Sequence, residues 1–115
     1  MSDIVVDFNS CRSNMNDIIL NEKSKVLNRI FNLDSNAFKP GALDRKTKEL
    51  LGLVAPTVPR CDDCVQYHLE QCHKENISKN EVMESLEIAT LVGGTIVIPN
   101  LRRAFEYWEA PENKK

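Results

Sequence analysis

Arg60-Cys61-Asp62-Asp63-Cys64-Val65-Gln66-Tyr67-His68, residues 60–68, follows a break marked by Pro56 and Pro59 and leads into a stripe of helical period, Val65, His68, Leu69 and Cys72. The spacing predicts a helix from about Asp62 to Glu75 with the cysteine pair at its start. Two cysteines with two residues between them at a helix start bring their sulfurs close enough for a small disulfide ring. The exposed N–H groups and dipole of that end favour a thiolate. His68 follows Cys64 by one helical turn, so imidazole and sulfur project from the same face. A neighbouring imidazole takes a thiol proton or stabilises the thiolate as imidazolium. Asp62 and Asp63 pull the other way, since a negative charge beside a thiol raises its pKa, and Arg60 is the nearby candidate to offset them.

Outward from this segment the chain reads as all-α, with about five to six helices. Upstream, Leu50, Leu51 and Val54 form the inner side of a helix from about Asp44 to Leu53, ended by Pro56 and Pro59. Before it, Ile19, Leu20, Val26, Leu27, Ile30 and Phe31 recur at helical spacing, which predicts one helix from about Asn16 to Leu33. Residues 1–15, rich in Ser, Asn and Asp, read as a loose arm. Downstream, Ser78-Lys79-Asn80-Glu81 has the form of a capping box opening a helix that carries Val82, Leu86 and Ala89. Gly93-Gly94 either breaks that helix or admits a close neighbour. The β-branched run Thr95-Ile96-Val97-Ile98 is assigned to helix, because a lone strand has no partner for its backbone groups. Leu101 to Trp108 reads as the last helix, with Phe105, Tyr107 and Trp108 as late core or interface. The domain organisation expected is a single helical domain over residues 16–110 and a polar tail over 111–115.

The chain of 115 residues balances 15 Lys+Arg against 17 Asp+Glu, and 42% of it is hydrophobic. The balance excludes disorder by composition and gives no electrostatic reason to expect nucleic acid or a membrane as partner. The start lacks a basic and apolar leader, and no apolar run is long enough to span a bilayer, so the protein reads as cytoplasmic. In a reducing compartment the four cysteines, Cys11, Cys61, Cys64 and Cys72, are thiols, ligands or redox groups rather than a disulfide framework. No dinucleotide fingerprint occurs and no cofactor is expected, so electrons come from a thiol partner. A small all-α chain with helices apolar over a wide arc covers them most simply by homo-oligomerisation.

Three chemistries fit the cysteine segment. Zinc is matched by identity, Cys61, Cys64, His68 and Cys72 or His73, but Cys64, His68 and Cys72 fall along one stripe rather than around a point, so no metal is expected. Inert buried cysteines with a core histidine leave unexplained why the pair sits at a helix start. The third is redox chemistry. Cys72 is read as core, Cys11 as incidental and His73 as an exposed side chain.

From about Leu43 to Glu106 the chain resembles the alkyl hydroperoxidase D-like branch of the carboxymuconolactone decarboxylase family. That branch shows Glu, eleven intervening residues, then Cys-x-x-Cys-x-x-x-His, and Glu49, Cys61, Cys64 and His68 stand at those places. Glu81 to Leu86 followed by Gly93-Gly94 is similar to the family's next helix. The resemblance implies an all-helical oligomer, a trimer or hexamer, with peroxidase or disulfide reductase activity on a peroxide or disulfide substrate. It implies that Cys64 attacks, Cys61 resolves, and Glu49 with His68 relays protons. Without the family spacing, Glu49 among Arg45, Lys46 and Lys48 reads as a solvated surface charge. A lactone decarboxylase of the same fold is the alternative, disfavoured because that branch does not rely on a cysteine pair. The other alternative is a non-enzymatic zinc-binding or redox-sensing assembly module.

Overall fold

A computed structural model describes residues 4–110. Six α-helices appear among them, α1 (Ile4–Asn21), α2 (Lys25–Ala37), α3 (Arg45–Thr57), α4 (Asp62–Lys74), α5 (Lys79–Gly93) and α6 (Ile98–Trp108), with one 3-10 turn, Thr95–Val97, and no strand. The expected tail over 111–115 lies outside the described residues, as do the first three residues of the expected arm.

The start of the chain corrects the expectation of a loose arm. Ile4 to Asn21 is helical because Ile4, Val5 and Phe8 share a face that reaches the core: Val5 is buried, and the Phe8 ring meets Tyr107 edge-on at 5.7 Å. The single helix expected from Asn16 to Leu33 is two. Glu22 and Lys23 close α1 through bonds to the Ile19 and Leu20 carbonyls, Lys23 turns at φ 58°, and Ser24 Oγ accepts from Leu27 N to start α2. Apolar periodicity runs through this hinge unbroken, because the residues that make the turn are polar.

Asp44 caps α3 by accepting from Thr47 N at 2.8 Å, and Lys48 Nζ ties α2's end to α3 by donating to the carbonyls of Ala37 and Lys39. α3 runs through Pro56 and stops at Thr57, whose hydroxyl donates to Leu53 O at 2.8 Å. A proline this close to the C-terminus forfeits one N–H and no more of the ladder. Arg60, at φ 67°, turns the chain into α4. The Ser78–Glu81 capping box forms in both directions and opens α5. Gly94, at φ 85° and ψ 175°, ends α5 in backbone space that suits glycine, while a Cβ on Gly93 would lie 2.9 Å from Val97. The pair therefore does both things foreseen for it.

α3 packs on α4 and α5, and α4 packs on α6. Leu53, Val65, Leu69, Cys72, Val82, Leu86 and Tyr107 fill the space between them. α2 buries no residue fully, and Val26, Ile30 and Leu33 form an exposed apolar stripe along it. Leu91 (84% exposed) and Val92 make a second one on α5. Among the described residues no helix is long and apolar enough to cross a membrane.

Candidate active site

Cys61 is the N-cap of α4 and Cys64 sits in its first turn, a consequence of the Arg60 turn placed directly before them. Their sulfurs lie 2.8 Å apart and share a hydrogen bond, both as free thiols. That is about 0.8 Å beyond a disulfide bond length. The two aspartates between them are treated differently. Asp62 is tied to α6, with Oδ2 accepting from Arg103 Nε and Oδ1 from Asn100 Nδ2 at 2.9 Å. Asn100, itself buried, also donates to the Arg60 carbonyl at 3.3 Å and so braces the turn. The counter-charge for Asp62 is Arg103, where the sequence suggested Arg60. Asp63 is exposed and its charge bears on Cys64.

Cys64 is pushed up to about 11. The hydrogen bond with Cys61 is the largest cause, followed by burial and the charges of Cys61 and Asp63, with Arg12 acting in the opposite direction. A thiol in that range keeps its proton at neutral pH, so attack by this sulfur requires a base.

An imidazole stands one turn along. His68 Nδ1 lies 2.9 Å from Glu49 Oε1, and Arg45 Nε donates to Glu49 Oε2 at 2.9 Å. Glu49 is 1% exposed, which corrects its reading as a solvated charge. Both of its oxygens accept charge-assisted bonds, the condition for keeping a carboxylate out of water. A carboxylate only accepts, so Nδ1 carries the shared proton and Nε2 is the ring nitrogen not engaged by Glu49. The ring lies between Phe38 and Tyr67, each 5.0 Å away by centroid. Behind it, a Cβ on Gly52 would stand 2.6 Å from Cε1 and 2.8 Å from Nδ1, so the imidazole approaches α3 this closely only over glycine.

Cys64 and His68 border one pocket of about 260 Å³. Ile30 and Phe31 of α2 give it an apolar wall, while Arg12 of α1 closes another side. Glu49 borders a second pocket, on the side of Arg45 and Lys39. The structure thus brings Cys61 to Cys64 and Glu49 to His68, and sets Cys64 and His68 on one cavity. Arg45, Gly52, Asn100, Arg103 and Arg12 were not singled out for this site from sequence. Arg45 alone carried a legible signal, its i, i+4 spacing to Glu49.

Among the described residues no three His, Cys, Asp or Glu side chains converge as a metal set would. Cys72 is buried in the core, its thiol pushed up to about 12, chiefly by burial. His73 is not a plain exposed side chain: its ring stacks on Trp108 at 3.5 Å. Cys11 is exposed on α1.

The chain is similar in sequence and fold to several known proteins. A crystallised protein of Thermotoga maritima is 49% identical, with a TM-score of 0.90 over 94% of this chain and 95% of that one. A second crystal structure of it describes a carboxymuconolactone decarboxylase family protein with a suggested part in an antioxidative response, at 50% identity and a TM-score of 0.86 over 90% of this chain and 87% of that one. Among curated proteins, the alkyl hydroperoxide reductase AhpD of Corynebacterium kroppenstedtii is 29% identical over 62 residues, 54% of this chain and 36% of that protein. An uncharacterised cox-locus protein of Paracoccus denitrificans is 30% identical over 57 residues, 50% of this chain and 51% of that one. The matched stretch therefore spans about half or less of these two curated relatives. The model of the carboxymuconolactone decarboxylase family matches residues 24–109, which include all four residues of the cysteine, histidine and glutamate set, and the chain belongs to that family.

Proposed function

We propose that the protein is a thiol-dependent oxidoreductase that reduces a peroxide, or a disulfide, with the Cys61–Cys64 pair. The observation that carries this reading is the 2.8 Å sulfur contact on the same pocket as an imidazole backed by a buried carboxylate. With a peroxide ROOH, His68 takes the Cys64 proton and the sulfur attacks the terminal oxygen. The O–O bond breaks, and RO⁻ leaves with the proton held by His68. Cys64 is then a sulfenic acid. Cys61 attacks it, the S–O bond breaks, and water departs as the disulfide closes. Two thiols have lost two electrons and the peroxide has gained them. A thiol reductant reopens the disulfide, which sets the cycle in a reducing compartment such as the cytoplasm.

The order of roles follows from His68, which stands one turn from Cys64 and borders the same pocket. A lactone decarboxylase has no use for two sulfurs in contact, and this arrangement does not favour it. The exposed stripes on α2 and α5 support self-association, as a trimer or hexamer, with a second copy covering them.

The test is a thiol titration before and after one equivalent of peroxide. Two thiols should disappear and return with dithiothreitol, and in Cys64→Ser the remaining Cys61 thiol should persist. Two thiols unchanged by peroxide in the parent protein, loss of the Cys61 thiol in Cys64→Ser, or stoichiometric zinc on the purified protein would overturn the proposal.

A further inference from the structure

We infer that Arg12, on α1 and outside the cysteine, histidine and glutamate set, is the counter-charge that favours the Cys64 thiolate from across the pocket. The inference deepens the thiol reading and is separable from it, because alkylation of Cys64 needs no peroxide.

Arg12 reaches the site by stacking. Its guanidinium carbon lies 4.0 Å from the Tyr67 ring centroid and 5.8 Å from that of Phe8. Two aromatic faces hold it without consuming its charge. Among the described residues it makes no salt bridge, although Asp34 and Asp63 border the same pocket. A half-buried guanidinium without a carboxylate partner is free to face an anion that forms during the reaction. The anion that the pocket generates is the Cys64 thiolate.

The other groups around that sulfur do not supply a fixed positive charge. On α4 they are Cys61 and Asp63, which push its proton affinity up, and Tyr67 and His68. α2 contributes Asp34. From α3, the charge of Arg45 is engaged by Glu49 behind the imidazole. Arg12 draws Cys64 toward the thiolate, against the charge of Asp63. Without it, the pocket lining keeps two carboxylates, Asp34 and Asp63, and no Arg or Lys. Arg12 acts through Cys64, so it is a positioning residue.

The experiment is the pH profile of iodoacetamide alkylation, read separately at Cys64 by mass spectrometry, for Arg12→Gln and Arg12→Lys. Arg12→Gln should slow alkylation of Cys64 at pH 8 by about three- to tenfold, leave the limiting rate at high pH unchanged and move the midpoint upward. Arg12→Lys, which retains charge but loses the planar guanidinium, should follow the parent protein. A structural role would disturb both variants alike. Cys72, wholly buried, reports folding by staying unmodified. Should Gln at this position open Cys72 to the reagent, Arg12→Met, which keeps an apolar stem against Tyr67, carries the same test. An unchanged Cys64 midpoint, or an equal displacement in the Lys variant, would overturn the inference.

Discussion

The first two helices and the last four are built on different terms. α3 to α6 share Leu53, Leu69, Val82 and Tyr107 as common interior, and each helix there surrenders at least one side to its neighbours. α1 reaches that interior only through its first turns, and α2 does not reach it fully at all. Both halves nevertheless line the pocket in front of Cys64. The pair, the imidazole and the carboxylate stand on the well-packed half. The apolar wall and Arg12 stand on the lightly held half. The proposed chemistry is therefore mounted on the half that is buried most, and one wall of its pocket on the half that is buried least.

That division breaks first at the relay. Glu49→Gln should lower peroxide turnover by about a hundredfold or more, since it removes the negative charge that His68 and Arg45 share. Steady-state kinetics with the disulfide kept reduced would measure it, and turnover within twofold of the parent would remove Glu49 from the mechanism. Gly52→Ala should approach the same loss, about a hundredfold, because the added methyl lands 2.6 Å from the imidazole and forces it off Glu49. The same assay reads it, with urea denaturation to show that the fold persists.

Stability should follow the packing. Leu69→Ala, at a wholly buried position of α4, should cost about 2–5 kcal/mol. Leu33→Ala on α2, 66% exposed, should cost within about 0.5 kcal/mol in dilute monomer. Paired denaturation curves compare the two directly. A cost for Leu33→Ala that grows with protein concentration would mark α2 as covered by a second copy.

The smallest effect lies within the pair. The Cys64 thiol is raised, so its anionic fraction at pH 7 is lower than that of an ordinary thiol, and alkylation should climb about tenfold per pH unit toward a midpoint near 11. Cys61→Ala removes the largest cause of that rise. The midpoint should move down and alkylation at pH 8 should speed up. A midpoint that stays in place would assign the elevation to burial and Asp63 instead.

Much of the site was legible because its parts are near one another in the chain. Cys61, Cys64 and His68 lie within two turns of one helix, where side-chain direction follows from spacing alone. Ser78 and Glu81 cap α5 for the same reason. The failures were of two kinds. Ile4 to Met15 was read as loose because the stretch is rich in Ser, Asn and Asp, yet the apolar side chains Ile4, Val5 and Phe8 were enough to dock it. The hinge at Lys23 escaped notice because hydrophobic period does not register a turn made by polar residues.

Local rules on a single helix determined that two thiols and an imidazole share a face, and the resemblance to the family pattern hinted at Glu49 as a fourth member. Contacts between distant segments decided the rest: Glu49 withdrawn from water against His68, 19 residues away, Asp62 claimed by Arg103 from 41 residues on, and Arg12 carried to the pocket by Tyr67. Helical geometry is a property of a few consecutive residues. Burial and charge pairing depend on which helices meet, and only the packed molecule settles that.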